Sequence, residues 1–322
     1  MRRHGRETGR DRHRRDRLHD RLRASPAHRP RRTARAEPAP RPLRPHPGRH
    51  RLLPSPREAS PVTTPTDHTT LTRWVAGLAT TRPPGATLPL VCVPHAGGGT
   101  ATYQTWASTL PEEVTPWPLR LPGRESRRAE PRPLRMEDVV DPAAAALAPH
   151  LTEPFALYGH SLGALIAYEL AHALRDRFGL EADLLAVSAR RAPHLAPSGP
   201  PVHHLPDAEL VTAVERTYQG MPTAILEDPE ILSVYLPVLR ADLTVLETYR
   251  HRQRPRLRCP VTVFGARDDT TVAESELAAW SDLSAGPTTL RQRDDGGHFF
   301  PQSHRTWLTG HLSQDLLRLS VP

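Results

Sequence analysis

Lysine and asparagine are absent from all 322 residues, so every basic charge other than histidine is arginine. The codons of both missing residues are AT-rich. Their absence, with abundant Ala, Arg, Pro and Gly, points to a GC-rich coding sequence and says nothing about function. Only two cysteines occur, Cys92 and Cys259, each in or beside an apolar run that reads as a buried strand. Two thiols so placed exclude a secreted disulfide framework and suit a reducing cytosol, where they act as small buried hydrophobes. No apolar run reaches the roughly 18 residues that a membrane helix needs. The N-terminus is basic but has no apolar core segment, which excludes a secretory signal.

Acidic charge is scarce only at the start. Residues 1–60 hold 19 Arg against 6 Asp plus Glu, a net of +13, so the remainder carries +8 − 13 = −5. Residues 1–65 also contain 11 Pro and no Phe, Trp or Tyr. Such a segment cannot bury enough apolar surface to offset the entropy of ordering, and a disordered tail is expected there. Its Arg runs would attract a polyanion. The plainer readings are an idle solvated tail or a start codon set too far upstream, since a GTG codon at Val62 could begin translation. A nucleic-acid partner is not expected.

From about Leu71 apolar periodicity appears. The runs "LPLVCVPHAGGG" (88–99), "TPWPLRLPG" (115–123), "FALYG" (155–159), "ADLLAVSA" (182–189), "CPVTVFGARDD" (259–269) and "PTTLRQRD" (287–294) read as strands. Helices are predicted between them: a short one at "TYQTWASTLP", one at "MEDVVDPAAAALAPHL" with a break or restart at Pro142, and a long one at "GALIAYELAHALRDRF". Two more follow at "AESELAAWSDL" and "SHRTWLTGHLSQDLLRL". Residues 203–250 lack strands and read as a purely helical insertion. Alternating strand and helix predict an α/β fold with a mostly parallel central sheet covered on both faces.

"FALYGHSLGALIAYEL" sets Gly159-His160-Ser161-Leu162-Gly163 between a strand and a helix. Gly-x-Ser-x-Gly there is a nucleophile elbow: a strained turn lifts the serine hydroxyl off the sheet edge, and the glycines relieve crowding beside it. The helix N-terminus next to it favours negative charge. A serine needs a base, and the base an orienting carboxylate, in the chain order Ser, acid, His. His298 in "DDGGHFF" lies in the only glycine loop after the last strand that holds a histidine. His172, His304 and His311 fall within helices, His95 precedes the serine, and His160 should point away from it. For the acid, Asp268 and Asp269 both follow the strand "VTVFGA"; the Gly-x-x-Asp spacing favours Asp268. Asp294 and Asp295 are too near His298 in sequence, and Asp242 reads as structural. The oxyanion donors expected are the backbone N–H groups of Leu162 and, from the loop "PHAGGG", Ala96.

Taken together, "VCVPHAGGG", "LPGRESR", "FALYGHSLGALIAYELA", "LPVLRADLTVLETY" and "GGHFF" resemble the type II thioesterases of polyketide and nonribosomal peptide synthesis. The likeness runs from about Trp74 to the C-terminus. It implies an α/β-hydrolase domain over 71–322 with a helical lid at about 203–250, and hydrolysis of acyl groups from the phosphopantetheine thiol of carrier proteins. The family's triad falls on Ser161, Asp268 and His298, and its oxyanion donors on Ala96 and Leu162. Asp268-Asp269 stands where many relatives have Asp-Pro. No metal or diffusible cofactor is implied, because the phosphopantetheine belongs to the substrate. Acyl or peptidyl carrier proteins are the expected partners, and no membrane is. A cytoplasmic, free-standing monomer is expected, since no carrier-domain serine motif is present. The basic run "YRHRQRPRLR" (249–258) reads as solvated surface, with docking of an acidic carrier as the alternative. The other classes that fit the elbow are an acyltransferase, a lipase or peptidase, and a hydrolase-like binding module without activity.

Overall fold

Each of the six predicted apolar runs forms a strand, and the strands join into one parallel sheet. The computed structural model describes residues 68–77, 88–151 and 154–319. The chain divides into Met1–Ser60 and Pro61–Pro322, and every described residue belongs to the second unit. The tail over 1–65, expected to be disordered, lies outside the described residues.

In chain order the elements are α1 (His68–Trp74), β1 (Leu88–Val93), β2 (Val114–Pro118), α2 (Met136–Leu147), β3 (Ala156–His160), α3 (Leu162–Phe178), β4 (Leu184–Ser188), α4 (Asp207–Tyr218), α5 (Thr223–Leu226), α6 (Pro229–Thr248), β5 (Val261–Ala266), α7 (Glu274–Ala278), β6 (Thr288–Arg293), α8 (Phe300–Ser303) and α9 (Arg305–Leu319). The sheet order is β2-β1-β3-β4-β5-β6, with every pairing parallel. From β1 the chain steps outward to β2, then returns to place β3 on the other side of β1. In open parallel sheets such a reversal of winding opens a crevice beyond the strands' C-terminal ends. The loop after β1 and the turn after β3 both face that crevice.

The sheet's two faces take alternate residues. Val91, Val93, Leu157, Leu185, Val187 and Val263 pack with α2, α3 and α6, while Leu90, Cys92, Tyr158, Ala186 and Phe264 pack with Trp106 and α9. Period-two alternation with both faces covered explains why β1, β3, β4 and β5 read as unbroken apolar runs and are buried throughout. Cys92 and Cys259 are free and buried, and burial pushes the Cys259 thiol up to about 11. Among the described residues no helix is long and apolar enough to cross a membrane.

Two local expectations differ. Pro142 does not break α2, which runs through it. Pro142 and Asp138, whose carbonyl loses its partner at that step, are both exposed, so water can satisfy the carbonyl. "TYQTWASTLP" forms two short 3-10 turns, Thr100–Tyr103 and Trp106–Ser108, rather than one helix. Buried Tyr103 and Trp106 decide its geometry: they stack on each other and on Tyr158, with the Tyr103 hydroxyl donating to the Val93 carbonyl at 2.7 Å. The strandless interval 203–250 contains α4, α5 and α6. Helix α6 starts on Asp228, whose carboxylate accepts from the N–H groups of Glu230 and Ile231 at 2.9 and 3.1 Å, with Pro229 in its first turn.

Candidate active site

Ser161 has φ 56° and ψ −116°, a conformation side-chain-bearing residues seldom adopt. It persists because the turn is held on both sides. The Ser161 N–H donates to the Ser188 carbonyl at 2.9 Å, and α3 begins at Leu162. The elbow leaves no room for side chains two residues away. A Cβ on Gly159 would sit 2.1 Å from the Gly163 carbonyl oxygen, and one on Gly163 would sit 2.1 Å from that of Val93. The glycines expected from the motif are therefore required by backbone contact.

His298 Nε2 lies 3.0 Å from Ser161 Oγ, and its Nδ1 lies 3.1 Å from Asp269 Oδ2. All three side chains are buried. The carboxylate at the histidine is thus Asp269 and not Asp268, which corrects the sequence expectation. Asp268 is exposed and turns the other way, accepting from the N–H groups of Gly296 and Gly297 at 3.0 and 2.8 Å. The physical reason is the tight turn after β5, where the Asp269 N–H bonds back to the Ala266 carbonyl at 3.1 Å. One residue's advance around that turn swings the side chain from the rim into the interior. Both carboxylates serve the same loop: Asp268 fixes its backbone and Asp269 engages its ring. Thr271 completes the acid's surroundings, donating to Asp269 Oδ1 from its N–H at 2.9 Å and its hydroxyl at 2.6 Å. Burial alone would raise the Asp269 pKa. The hydrogen bond and charge of His298 and the two Thr271 donors outweigh it and hold the carboxyl below its ordinary value.

The loop after β1 passes over the serine. Among the described residues neither the Ala96 nor the Leu162 N–H donates to a backbone acceptor. The neighbouring N–H, Gly97, donates to Asp242 Oδ2 at 2.8 Å. Asp242 comes from α6 and forms a two-pronged pair with Arg124, Nη1 to Oδ2 at 2.9 Å and Nη2 to Oδ1 at 2.6 Å. Arg124 Nη1 also donates to the Gly98 carbonyl at 2.7 Å. The loop is therefore gripped at both a donor and an acceptor by an ion pair whose two members are buried. Asp242, read from sequence as structural, ties the helical insertion to the loop after β1. Arg124 carried no role in the sequence reading, and Thr271 was missed. The stretches "LPGRESR" and "LPVLRADL" signalled the family, but not that Arg124 and Asp242 meet.

His160 points away from the nucleophile as expected. Its Nδ1 lies 3.0 Å from Ser188 Oγ, and its ring packs between those of His95 and His298. Burial, helped by the nearby charges of His298 and His95, pushes the His160 pKa well below its ordinary value. Burial likewise drives His95 down to about 4, against the opposing pull of the Ala96 carbonyl. In the unfolded chain both rings would titrate near 6.5. Below that pH the unfolded state binds more protons than the fold does, so stability rises with pH in this window. Urea unfolding midpoints should accordingly fall as pH drops from about 6.5 to about 4.5, with proton uptake on unfolding. A midpoint that is flat over that interval would contradict the two rings remaining neutral in the fold.

A cavity of about 230 Å³ opens beside Ser161 and His298. Its wall is largely apolar, with Val214 from α4, Ile225 from α5, and Leu239 and Leu243 from α6, and it reaches Ala96 on the oxyanion loop. The basic run at 249–258 is mostly occupied within the chain, through pairs of Arg252 with Glu137, Arg254 with Glu169, and Arg258 with Glu181.

Comparison with known proteins places the chain in a family. Residues 88–316 match the family described as "Thioesterase domain". The chain is 36% identical over 225 residues to a protein of Brevibacillus parabrevis named linear gramicidin dehydrogenase LgrE, covering 69% of this chain and 85% of that one. It is 37% identical over 235 residues to thioesterase PikA5 of Streptomyces venezuelae, covering 73% and 83%. The solved structure of the type II thioesterase BorB from the borrelidin biosynthetic cluster superposes with a TM-score of 0.66 at 33% identity, covering 76% of this chain and 96% of that one.

Proposed function

Since the chain belongs to the thioesterase domain family, with an α/β-hydrolase fold and activity on thioesters, we propose that it hydrolyses acyl groups from the phosphopantetheine arm of carrier proteins in polyketide or nonribosomal peptide synthesis. The observation that carries this reading is the line of side chains Ser161, His298 and Asp269, at 3.0 and 3.1 Å, at the mouth of an apolar cavity.

In the proposed mechanism Asp269 holds His298 with its proton on Nδ1, leaving Nε2 free to accept the Ser161 proton as Oγ attacks the thioester carbonyl. The N–H groups of Ala96 and Leu162 receive the oxyanion, aided by the N-terminus of α3. His298 then gives its proton to the departing thiol. Water, activated by the same ring, attacks the acyl-enzyme ester and releases the free acid. No metal or diffusible cofactor enters this scheme. Helices α4 to α6 act as the lid over the acyl cavity, and the relatives' pathways suggest clearance of stalled or misprimed acyl groups. The name of the gramicidin relative suggests hydride transfer. The serine on a strained elbow, with its base and acid in register, supports hydrolysis instead.

The test is a set of acyl-pantetheinyl carrier proteins and matched oxygen esters, followed by mass spectrometry of acid, carrier and enzyme. Expected are free acid from the carrier thioesters in preference to the oxygen esters, and a transient acyl adduct on Ser161. Acid from oxygen esters alone would mean a lipase-type enzyme. Transfer of the acyl group to a second acceptor, without free acid, would mean an acyltransferase.

A further inference from the structure

A second opening reaches Ser161 beside the acyl cavity. It has a volume of about 260 Å³ and is bounded at its base by Ser161 and His298, with walls from Arg190, Thr217, Tyr218 and Thr270. It shares Arg190, Ser198, Gly199, Thr217 and Tyr218 with a neighbouring groove of about 310 Å³, which continues outward to Arg216 and Arg250. The two form one path from the nucleophile to the rim of α4 and α6. Tyr218 also lines the apolar cavity, and its ring stands 4.8 Å from that of His298, so it divides the two sides of the site.

The walls on the two sides differ in chemistry. None of the insertion's leucines that line the acyl cavity near Ser161 reaches the inner half of this path; hydroxyls and a guanidinium do. The path also carries unanswered positive charge. Arg191 is paired with Glu276 at 2.7 Å. The Arg190 side chain, by contrast, has no hydrogen bond or ion pair among the described residues, and its Nε is buried without a partner. Arg216 and Arg250 at the outer end are exposed, and neither is in an ion pair among the described residues. The one carboxylate lining the path, Glu247, is already engaged by the N–H groups of Val202 and His203 and by the His203 ring. Partial burial lowers the Arg190 pKa, the cost of drawing a cation partly out of water with no hydrogen-bonded counter-group. A ligand bearing carbonyl or phosphate oxygens would offset that cost.

We propose that this polar path holds the thiol-bearing arm of the substrate, with Arg190 donating to the arm's amide carbonyls and Arg216 and Arg250 meeting its phosphodiester. The inference rests on the carrier-thioester reading above. It assigns the two halves of the thioester to the two openings at Ser161, the acyl chain to the apolar cavity and the amide-bearing arm to the arginine path. His298 lines both sides, so its Nε2 can hand the proton to the thiol leaving along the polar one.

The test compares one acyl group carried on N-acetylcysteamine, pantetheine, phosphopantetheine and carrier protein, with the p-nitrophenyl ester of the same acid as reference. In Arg190→Met the ratio of kcat/KM on the pantetheine thioester to that on the nitrophenyl ester should fall about 10- to 100-fold, the worth of a hydrogen bond to a charged group. Arg190→Lys should recover part of the loss. In Arg216→Ala/Arg250→Ala the preference for phosphopantetheine over pantetheine should shrink, with pantetheine itself little changed. An equal fall on all five substrates in Arg190→Met would make Arg190 a support of the triad and overturn the proposal. So would a loss that follows a carboxylate on the acyl group, whichever thiol carries it, since the arginine would then read the acyl half. If the wild-type enzyme hydrolyses the nitrophenyl ester but no pantetheine or carrier thioester, the functional reading itself fails, and the inference with it.

Discussion

Asp269→Asn should lower kcat for thioester hydrolysis by about 10³- to 10⁴-fold, while Asp268→Asn should lower it by less than about tenfold. The asymmetry follows from what each carboxylate holds. In the proposed mechanism Asp269 fixes which His298 nitrogen bears the proton and stabilises the imidazolium formed when Ser161 is deprotonated. An asparagine there can present its amide N–H to Nδ1, which shifts the ring proton to Nε2 and removes the acceptor that Ser161 needs. Asp268 meets only two backbone N–H groups, and the oxygen of an asparagine can still accept from them. Steady-state kinetics of both variants on one thioester checks this, with binding of a non-hydrolysable thioether analogue as the control for folding. The reverse ranking would return the catalytic carboxylate to Asp268.

Asp242→Asn should lower kcat by about 10²-fold with little change in KM, although Asp242 touches neither the triad nor the acyl cavity. It holds the Gly97 N–H, one residue from the proposed Ala96 donor, and its Arg124 partner holds the Gly98 carbonyl. A loop displaced by about 1 Å costs a reaction of this kind about a hundredfold, because the oxyanion donors must be in place before charge develops. The variant should also be less stable by about 3–5 kcal/mol, since Arg124 would be left buried without its counter-charge. Stability and catalysis separate in the double variant Arg124→Met/Asp242→Leu. Replacing both members of the ion pair with apolar side chains should restore much of the stability. It should not restore kcat, because neither new side chain can hold Gly97 or Gly98. Recovery of kcat along with the melting temperature would show that Asp242 serves folding alone.

The sequence by itself determined the sheet and the elbow that carries Ser161. Unbroken apolar runs in β1, β3, β4 and β5 are written into each segment by itself: each strand must bury both faces, and its own residues record this. Gly159 is legible for the same reason, since the clash that requires it arises within five residues, whereas the contact that requires Gly163 comes from Val93 on the neighbouring strand. His298 was found because it occupies the one glycine loop with a histidine after the last strand. The tertiary structure alone decided between Asp268 and Asp269. Adjacent side chains on a tight turn point in different directions, and only the positions of β5, β6 and the histidine loop settle which faces inward. It alone joined Arg124 to Asp242 across 118 residues of chain, where no local pattern shows that α6 will grip the loop after β1. It also set Arg190 beside Ser161, through the pairing of β3 with β4. An elbow is a property of a few bonds and can be read from letters; a shared direction of side chains from distant segments depends on how the sheet brings those segments together.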